Sequence, residues 1–444
     1  MGQAHFISRT LESIPDLLAL HARFPERYPH LLASNAQPGQ SARFDILFAC
    51  PQDTLTHHDE NFLAQLDARW QREKTDYTAT DLPFTGGWFL YLGYELANDI
   101  EPGLKLPPAT DGLPIAFATR FVAALIIDRL AHAAWLVCEH DSRECLEIMQ
   151  HDLAQLATDN VSDLYQQPIR IDNLIEDDAE YYLQHVETIK RYILDGDVFQ
   201  VNLSRGWRTS LQQNVSHASL FWRLRQANPG PFNALLTLGD NAIISSSPER
   251  LIAVCDQVIQ TRPIAGTRPR SANHAADDNL SAELLRHPKE RAEHIMLIDL
   301  ERNDLGRICT PGSVEVNELM VIESYQHVHH IVSNIRGRLR EHITPADIIR
   351  AVFPGGTITG CPKIRCMQIL AELEQTGRGA YTGSLGYLNR DGSMDLNILI
   401  RTLVRQGNQL MFRAGGGIVA DSQAQHELNE TRAKAKGLIL ALQA

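Results

Sequence analysis

Three observations predict an α+β fold. Short apolar segments bounded by turns fill residues 6–159, as a sheet-forming lobe requires. Periodic helical stretches occur at 176–197, 287–300 and 426–442. From residue 198 onward, strand and helix patterns alternate. With 44% hydrophobic and 21% charged side chains over 444 residues, the chain has the composition of an ordinary globular protein, not a disordered or fibrous one.

In chain order, the first strands are expected in RFDILFAC (43–50), GGWFLYLGYEL (86–96), RFVAALIID (120–128) and HAAWLVCEH (132–140). The helical stretch 142–159 closes this lobe, and the polar run 160–175 reads as a linker, so residues 1–170 and 171–444 are expected as an N-terminal lobe and a larger second region. The helix at 176–197 lines Tyr182, Val186, Ile189 and Ile193 along one side, with Gly196 to end it. In VFQVNLSRGW (198–207), Val198, Gln200, Asn202 and Ser204 alternate with Phe199, Val201 and Leu203, as in a half-buried strand. Two strands then face each other across Gly239-Asp240, and Asp391-Gly392 and Gly407-Asn408 mark later hairpins.

The segment HPKERAEHIMLIDL (287–300) starts a helix at a proline and sets Glu290 and Glu293 on one face. Near the C-terminus, HELNETRAKAKGLILAL repeats the device with Glu427 and Glu430. Two such helices can clamp one hard dication such as Mg²⁺. No His or Cys is interleaved as zinc would require. Other polar groups stand where strands end. Glu249 follows a proline in SSSPERL, where a buried acid can serve as general acid or base and an exposed one is an ordinary turn residue. The loop 261–270 holds three arginines, and Gly415, Gly416 and Gly417 follow a strand, where backbone N–H groups can cradle an anion. PGGTITGCPK (354–363) is a second glycine-rich turn, with Thr357 and Lys363 as its polar side chains, and His330 reads as either a site or a core histidine.

With a net charge of −13 and no long basic block, nothing points to nucleic acid as a partner. Seven scattered cysteines without CxxC spacing suit free thiols in a reducing compartment. No apolar run approaches the ~20 residues of a membrane span, and the N-terminus lacks a signal-peptide core, so a cytoplasmic protein is expected.

The motifs SPER, PIAGT, KERAEHIMLIDLERNDLGR, VHHIVS, PGGTITGCPK, YTGSLGY, MDLNILIRT, AGGGIVADS and HELNETRAKA occur in the order of the chorismate-utilising enzymes. The chain resembles that family, which includes aminodeoxychorismate synthase component I and anthranilate synthase component I. The resemblance implies the anthranilate synthase component I-like fold, two packed β-sheets flanked by helices, with one Mg²⁺-dependent site for chorismate. Carried over by motif, Glu293 and Glu430 would be the nearest metal ligands, and Glu290 and Glu427 would hold its waters. Tyr381, Arg401, Gly415 to Gly417 and Lys434 would bind the substrate carboxylates, with Thr357 and His330 near the ring. Glu249 would protonate the departing 4-hydroxyl.

Members that add water carry a lysine base where this chain has Gln200, and an amide cannot deprotonate water. That implies ammonia as nucleophile. In the PIAGT segment, which holds Ala265 and Thr267, many aminodeoxychorismate synthases have lysine at position 265. Ala265 resembles anthranilate synthases, whereas QVNLS (200–204), NPGPF (228–232), FPGGTITG and SARFDIL resemble aminodeoxychorismate synthases. The LLES feedback segment of anthranilate synthases occurs only as LLAS (31–34). The framework matches outweigh the one substitution, so 4-amino-4-deoxychorismate is the expected product and anthranilate the alternative. A non-enzymatic aromatic-acid or partner binder would have been expected to lose one of these side chains. With no glutaminase nucleophile in a GxCxG setting, a separate glutamine amidotransferase subunit is implied as the source of ammonia.

Overall fold

The computed structural model describes residues 5–34, 43–58, 61–157, 160–270, 274–324 and 328–443. Among them are twenty strands. In chain order these are β1 (Phe6–Thr10), β2 (His30–Ala33), β3 (Phe44–Thr56), β4 (Gly87–Leu92), β5 (Ala116–Asp128), β6 (Ala133–Glu139), β7 (Ile175–Glu176), β8 (Gln200–Ser210), β9 (Phe232–Leu238), β10 (Asn241–Ser247), β11 (Arg250–Cys255), β12 (Val258–Thr261), β13 (Ile264–Pro269), β14 (Glu315–Ser324), β15 (Val328–Arg338), β16 (Gly360–Cys361), β17 (Ser384–Asn389), β18 (Met394–Asn397), β19 (Thr402–Gln406) and β20 (Gln409–Ile418).

The antiparallel ladders resolve into two sheets that share β5. Its later half pairs with β6, and β5, β3, β2, β9, β10, β19, β20 and β8 follow one another across the first sheet. Its earlier half pairs with β4, which leads through β17, β18, β11 and β12 to β15 in the second. Thirteen residues long and buried at all but one position, β5 can sit in both sheets because neither of its faces meets water. Phe48, Phe89, Tyr91, Phe121, Leu236 and Leu385 fill the space between the sheets. Helices cover the outer faces: Leu17–Arg23, Glu144–Leu156, His217–Ala227 and Ala424–Gln443 on the first, Phe62–Glu73, Pro288–Gly306 and Pro345–Val352 on the second. The architecture is α+β with two packed sheets, as the sequence predicts.

Residues 1–170 and 171–444 share both sheets, since β2 pairs with β9 and β4 with β17. The stretch 160–175 is more than a tether: Val161–Tyr165 is a short helix, and Tyr165 and Ile169 are buried in the core of the first sheet. The 176–197 pattern forms the helix Ala179–Leu194, whose Asp178 side chain caps the Glu180 amide, with Gly196 beyond its end at φ +84°. Phe199 departs from its expected place on the buried face. It precedes β8 and is 68% exposed. The described residues contain no helix long and apolar enough to cross a membrane, and all seven cysteines are free thiols.

Candidate active site

The floor of the site is the antiparallel pair β8 and β20, in which Asn202 faces Gly417 and Ser204 faces Gly415. The three glycines lie within the strand, not in a loop after it, because β8 supplies a ladder partner to each of them. Their value here is steric. A Cβ on Gly415 would stand 2.5 Å from the Leu203 carbonyl oxygen, 2.8 Å from Tyr381 Oη and 3.0 Å from Asn202 Oδ1. One on Gly417 would overlap the Gln200 amide, and one on Gly416 would lie 3.4 Å from Glu427 Oε2 and 3.7 Å from Glu430 Oε1. Bare backbone therefore lets Tyr381, Gln200 and the helix Ala424–Gln443 close over the same strand end. From that helix Lys434 donates to the Gly415 carbonyl at 2.9 Å and pairs with Glu430 at 2.7 Å.

Glu249 sits in the short connection between β10 and β11, fixed by its amide on Ser247 Oγ at 3.2 Å and by its carbonyl, which accepts from Ile398 N at 3.0 Å. The carboxyl is buried, and Oε1 has no hydrogen-bond partner among the described residues. Burial pushes its pKa up to about 7, although the Thr357 hydroxyl and the charges of Lys434 and Arg401 pull the other way. Thr357 lies in the 3₁₀ turn Gly356–Ile358, and its carbonyl accepts from Asn202 Nδ2 at 3.1 Å. Its hydroxyl has no partner among the described residues other than the Glu249 carboxyl. Two buried polar side chains with no partner but each other are what a site awaiting a polar ligand presents.

His330 on β15 is buried, with Nδ1 3.3 Å from the Gly266 carbonyl. Burial, then the nearby Arg401 charge, holds its pKa down to about 4, so the imidazole is neutral. Gly266, at φ +64°, forms the bulge between Ala265 and Thr267 on β13. Ala265 is buried there, and Thr267 pairs with His330 through the backbone, its side chain lying outside the described residues. A Cβ on Gly266 would stand 2.8 Å from Glu290 Oε2, which brings the first carboxylate pair to the bulge. Arg401 precedes β19 in the left-handed region at φ +50°, its carbonyl bonded to Ser246 N at 3.1 Å. Its charge acts on both Glu249 and His330, as does that of Lys434.

Glu290 and Glu293 lie on the helix Pro288–Gly306, Glu427 and Glu430 on Ala424–Gln443. Among the described residues no three His, Cys, Asp or Glu side chains converge into a preformed cage. The donor set is nonetheless all carboxylate, which suits Mg²⁺, and Lys434 shows that Glu430 takes a cation partner here.

Behind the floor lies a support that the sequence reading passed over. Glu374 accepts from Arg378 Nε at 2.9 Å and Nη2 at 2.8 Å, and from Ser204 N at 2.9 Å and Oγ at 2.7 Å. Arg378 also donates to the Asn202 carbonyl at 2.7 Å and the Ile358 carbonyl at 3.2 Å, binding β8 to the Thr357 turn. The backbone before Tyr381 is held by Glu95, which accepts from Arg378 N at 2.7 Å, and by Asp111, which accepts from Ala380 N at 3.0 Å. Glu374, Arg378 and Asp111 lie in no segment quoted above, and Glu95 only in the strand expected at 86–96; the four-residue spacing of Glu374 and Arg378 is the one signal that pair leaves in the sequence. Leu32 and Ala33 of LLAS line a separate cavity of about 320 Å³, with Pro231, Phe232 and Tyr387, that contains none of the site residues.

Comparison with known proteins decides the family. The profile described as chorismate binding enzyme matches residues 28–440. The chain belongs to the chorismate binding enzymes. It is 44% identical over 420 residues to an anthranilate synthase component I-like protein of Synechocystis, covering 94% of this chain and 84% of the other. It is 36% identical over 459 residues to aminodeoxychorismate synthase component 1 of Escherichia coli, covering 99% and 96%. Among solved structures, anthranilate synthase component I of Streptococcus pneumoniae superimposes with a TM-score of 0.79 at 30% identity, over 90% of this chain and 93% of that one. The chain is thus a chorismate-utilising enzyme of this family, with the charges of Arg401 and Lys434 acting on Glu249 inside it.

Proposed function

We propose that the chain is the synthase component of an aminodeoxychorismate synthase, converting chorismate and ammonia to 4-amino-4-deoxychorismate and water. The observation that carries the reading is Glu249, a buried acid that still holds its proton near neutrality and is overlooked by the cations Arg401 and Lys434. The cations suit a dianionic substrate, Arg401 by a bidentate grip on the enolpyruvyl carboxylate, and the acid suits a hydroxyl that must leave as water. Gln200 offers no base, which supports ammonia, whose neutral form already bears a lone pair. Ammonia forms its bond to ring C2 as the C4–O bond breaks and Glu249 gives its proton to the leaving oxygen. A second ammonia bonding at C4 expels the first, and the 4-amino product results without a lysine adduct.

Glu293 and Glu430 would hold Mg²⁺, with Glu290 and Glu427 beside them, and the bound ion would supply charge neutralisation for the ring carboxylate. Ammonia would come from a glutamine amidotransferase subunit, in keeping with the component names of the relatives. End-to-end coverage of the E. coli aminodeoxychorismate synthase component supports the 4-amino product, as do the framework motifs. One observation favours a second reading: with Ala265 at the bulge, the 2-amino adduct can instead lose pyruvate and become anthranilate. The test of the shared chemistry is chorismate consumption with ammonium and Mg²⁺. Glu430→Gln should abolish it while the far-ultraviolet spectrum is unchanged. Near-normal activity of that variant at low Mg²⁺ would remove the metal from this place.

A further inference from the structure

Behind Glu249 lies a cluster of charged groups to which no role has yet been given. Glu301 and Asp304 occupy one face of the helix Pro288–Gly306, 4% and 1% exposed. Arg307, half exposed, approaches Asp304 Oδ1 at 4.0 Å, and a second, largely buried cation, Lys363, lies closer. Its Nζ lies 2.6 Å from Asp304 Oδ2 and 3.3 Å from the Val352 carbonyl oxygen. Among the described residues no cation stands within ion-pair distance of Glu301, so its ionised form would be a buried charge without a partner. That cost favours Glu301 in the acid form.

Glu301 presses on the Gly356–Ile358 turn. A Cβ on Gly356 would stand 3.2 Å from its Oε1 and would overlap the side chain of Leu300, and the Gly356 amide faces the same carboxyl. That turn carries Thr357 to its place beside Glu249. We propose that Glu301 is a positioning residue for the amination site: in its acid form, with the Asp304–Lys363 pair behind it, it braces the Gly356–Ile358 turn and so holds Thr357 against Glu249. The inference rests on the reading of Glu249 as the general acid. Burial and the Asp304 charge raise the Glu301 pKa, Glu249, once ionised, raises it further, and Lys363 and the Gly356 amide lower it. Glu249 is itself faced by Thr357, Lys434 and Arg401. Ionisation of Glu249 thus makes that of Glu301 harder, and the two carboxyls titrate as a pair.

The experiment is the pH dependence of kcat/KM for chorismate in the full-length protein, with Mg²⁺ and a fixed concentration of free ammonia. In the wild type the rate should fall above neutrality with a slope of one proton and then of two, as each carboxyl ionises. Glu301→Ala, which removes the brace, should lower kcat by about tenfold or more through misplacement of the turn. Glu301→Gln should recover most of that loss and leave a one-proton slope throughout. A two-proton slope in Glu301→Gln, or Gln as damaging as Ala in protein that melts normally, would overturn the proposal. If Glu301→Ala fails to fold, the slope of Glu301→Gln alone decides. Glu249→Gln is the control: substantial activity in that variant sinks the reading of Glu249, whereas an inactive Glu249→Gln beside an indifferent Glu301→Ala sinks only the brace.

Discussion

Glu249→Gln should make the protein more stable at alkaline pH and almost inactive. The carboxyl is 6% exposed and its pKa rises to about 7. Against about 4.3 in the unfolded chain, this makes the ionised form roughly 3.7 kcal/mol dearer in the fold. Because the folded pKa lies above the unfolded one, the native state keeps a proton that the unfolded state has lost. Stability therefore falls as pH rises through that window and levels off above the folded value. Glutamine has no proton to lose. Between pH 5 and pH 8 the unfolding free energy of the variant should gain roughly 2.5 kcal/mol on the wild type. Urea unfolding at both pH values, with m unchanged, reads the difference. Turnover of the same variant should fall by about 10² to 10⁴. Curves that stay parallel within ~0.5 kcal/mol, or near-normal turnover, would refute a buried, protonated catalytic acid.

Two further outcomes test the support and the product switch. Glu374→Ala strands Arg378, whose side chain is 1% exposed, and should cost roughly 3–5 kcal/mol in denaturant unfolding; a cost under ~1 kcal/mol would contradict the network. Burial alone would raise the Glu374 pKa, but Arg378 and Arg413 hold it down to about 2, so its contribution is complete above the unfolded value near 4.3 and lost as pH falls through about 2. Ala265→Lys should move product toward the 4-amino compound if the wild type releases anthranilate, and an unchanged ratio, read by chromatography, would exonerate the β13 bulge.

Much of the fold was legible because its signals are local. Two-residue turns at Gly239-Asp240 and Gly407-Asn408 join β9 to β10 and β19 to β20, and the 3.6-residue period of 176–197 gave its helix. The pairing of β2 with β9 and β4 with β17 was not legible, because partners some two hundred to three hundred residues apart leave no mark in either segment. Nor was the end of the linker: Tyr165 and Ile169 are buried by neighbours that the polar run does not announce. In the site, the glycines of β20 and the acid Glu249 were visible as residue types at strand ends. Whether Glu249 was buried depended on what packs around it, and only the fold supplies that. Glu301 escaped notice because a glutamate late in a charged helix reads as solvated until the turn 356–358 is laid against it. The glycine stretch shows the reverse case, in which a loop was expected and a strand formed because β8 satisfies its backbone.

The most direct measurement is product identity. Purified protein is incubated with chorismate, Mg²⁺ and ammonium at mildly alkaline pH, with and without an aminodeoxychorismate lyase, while anthranilate is followed by fluorescence and 4-aminobenzoate by chromatography. The expected result is 4-aminobenzoate that depends on the lyase, with no anthranilate, which would show that lysine at position 265 is dispensable. Anthranilate formed without the lyase would contradict the proposed product and make Ala265 the deciding residue.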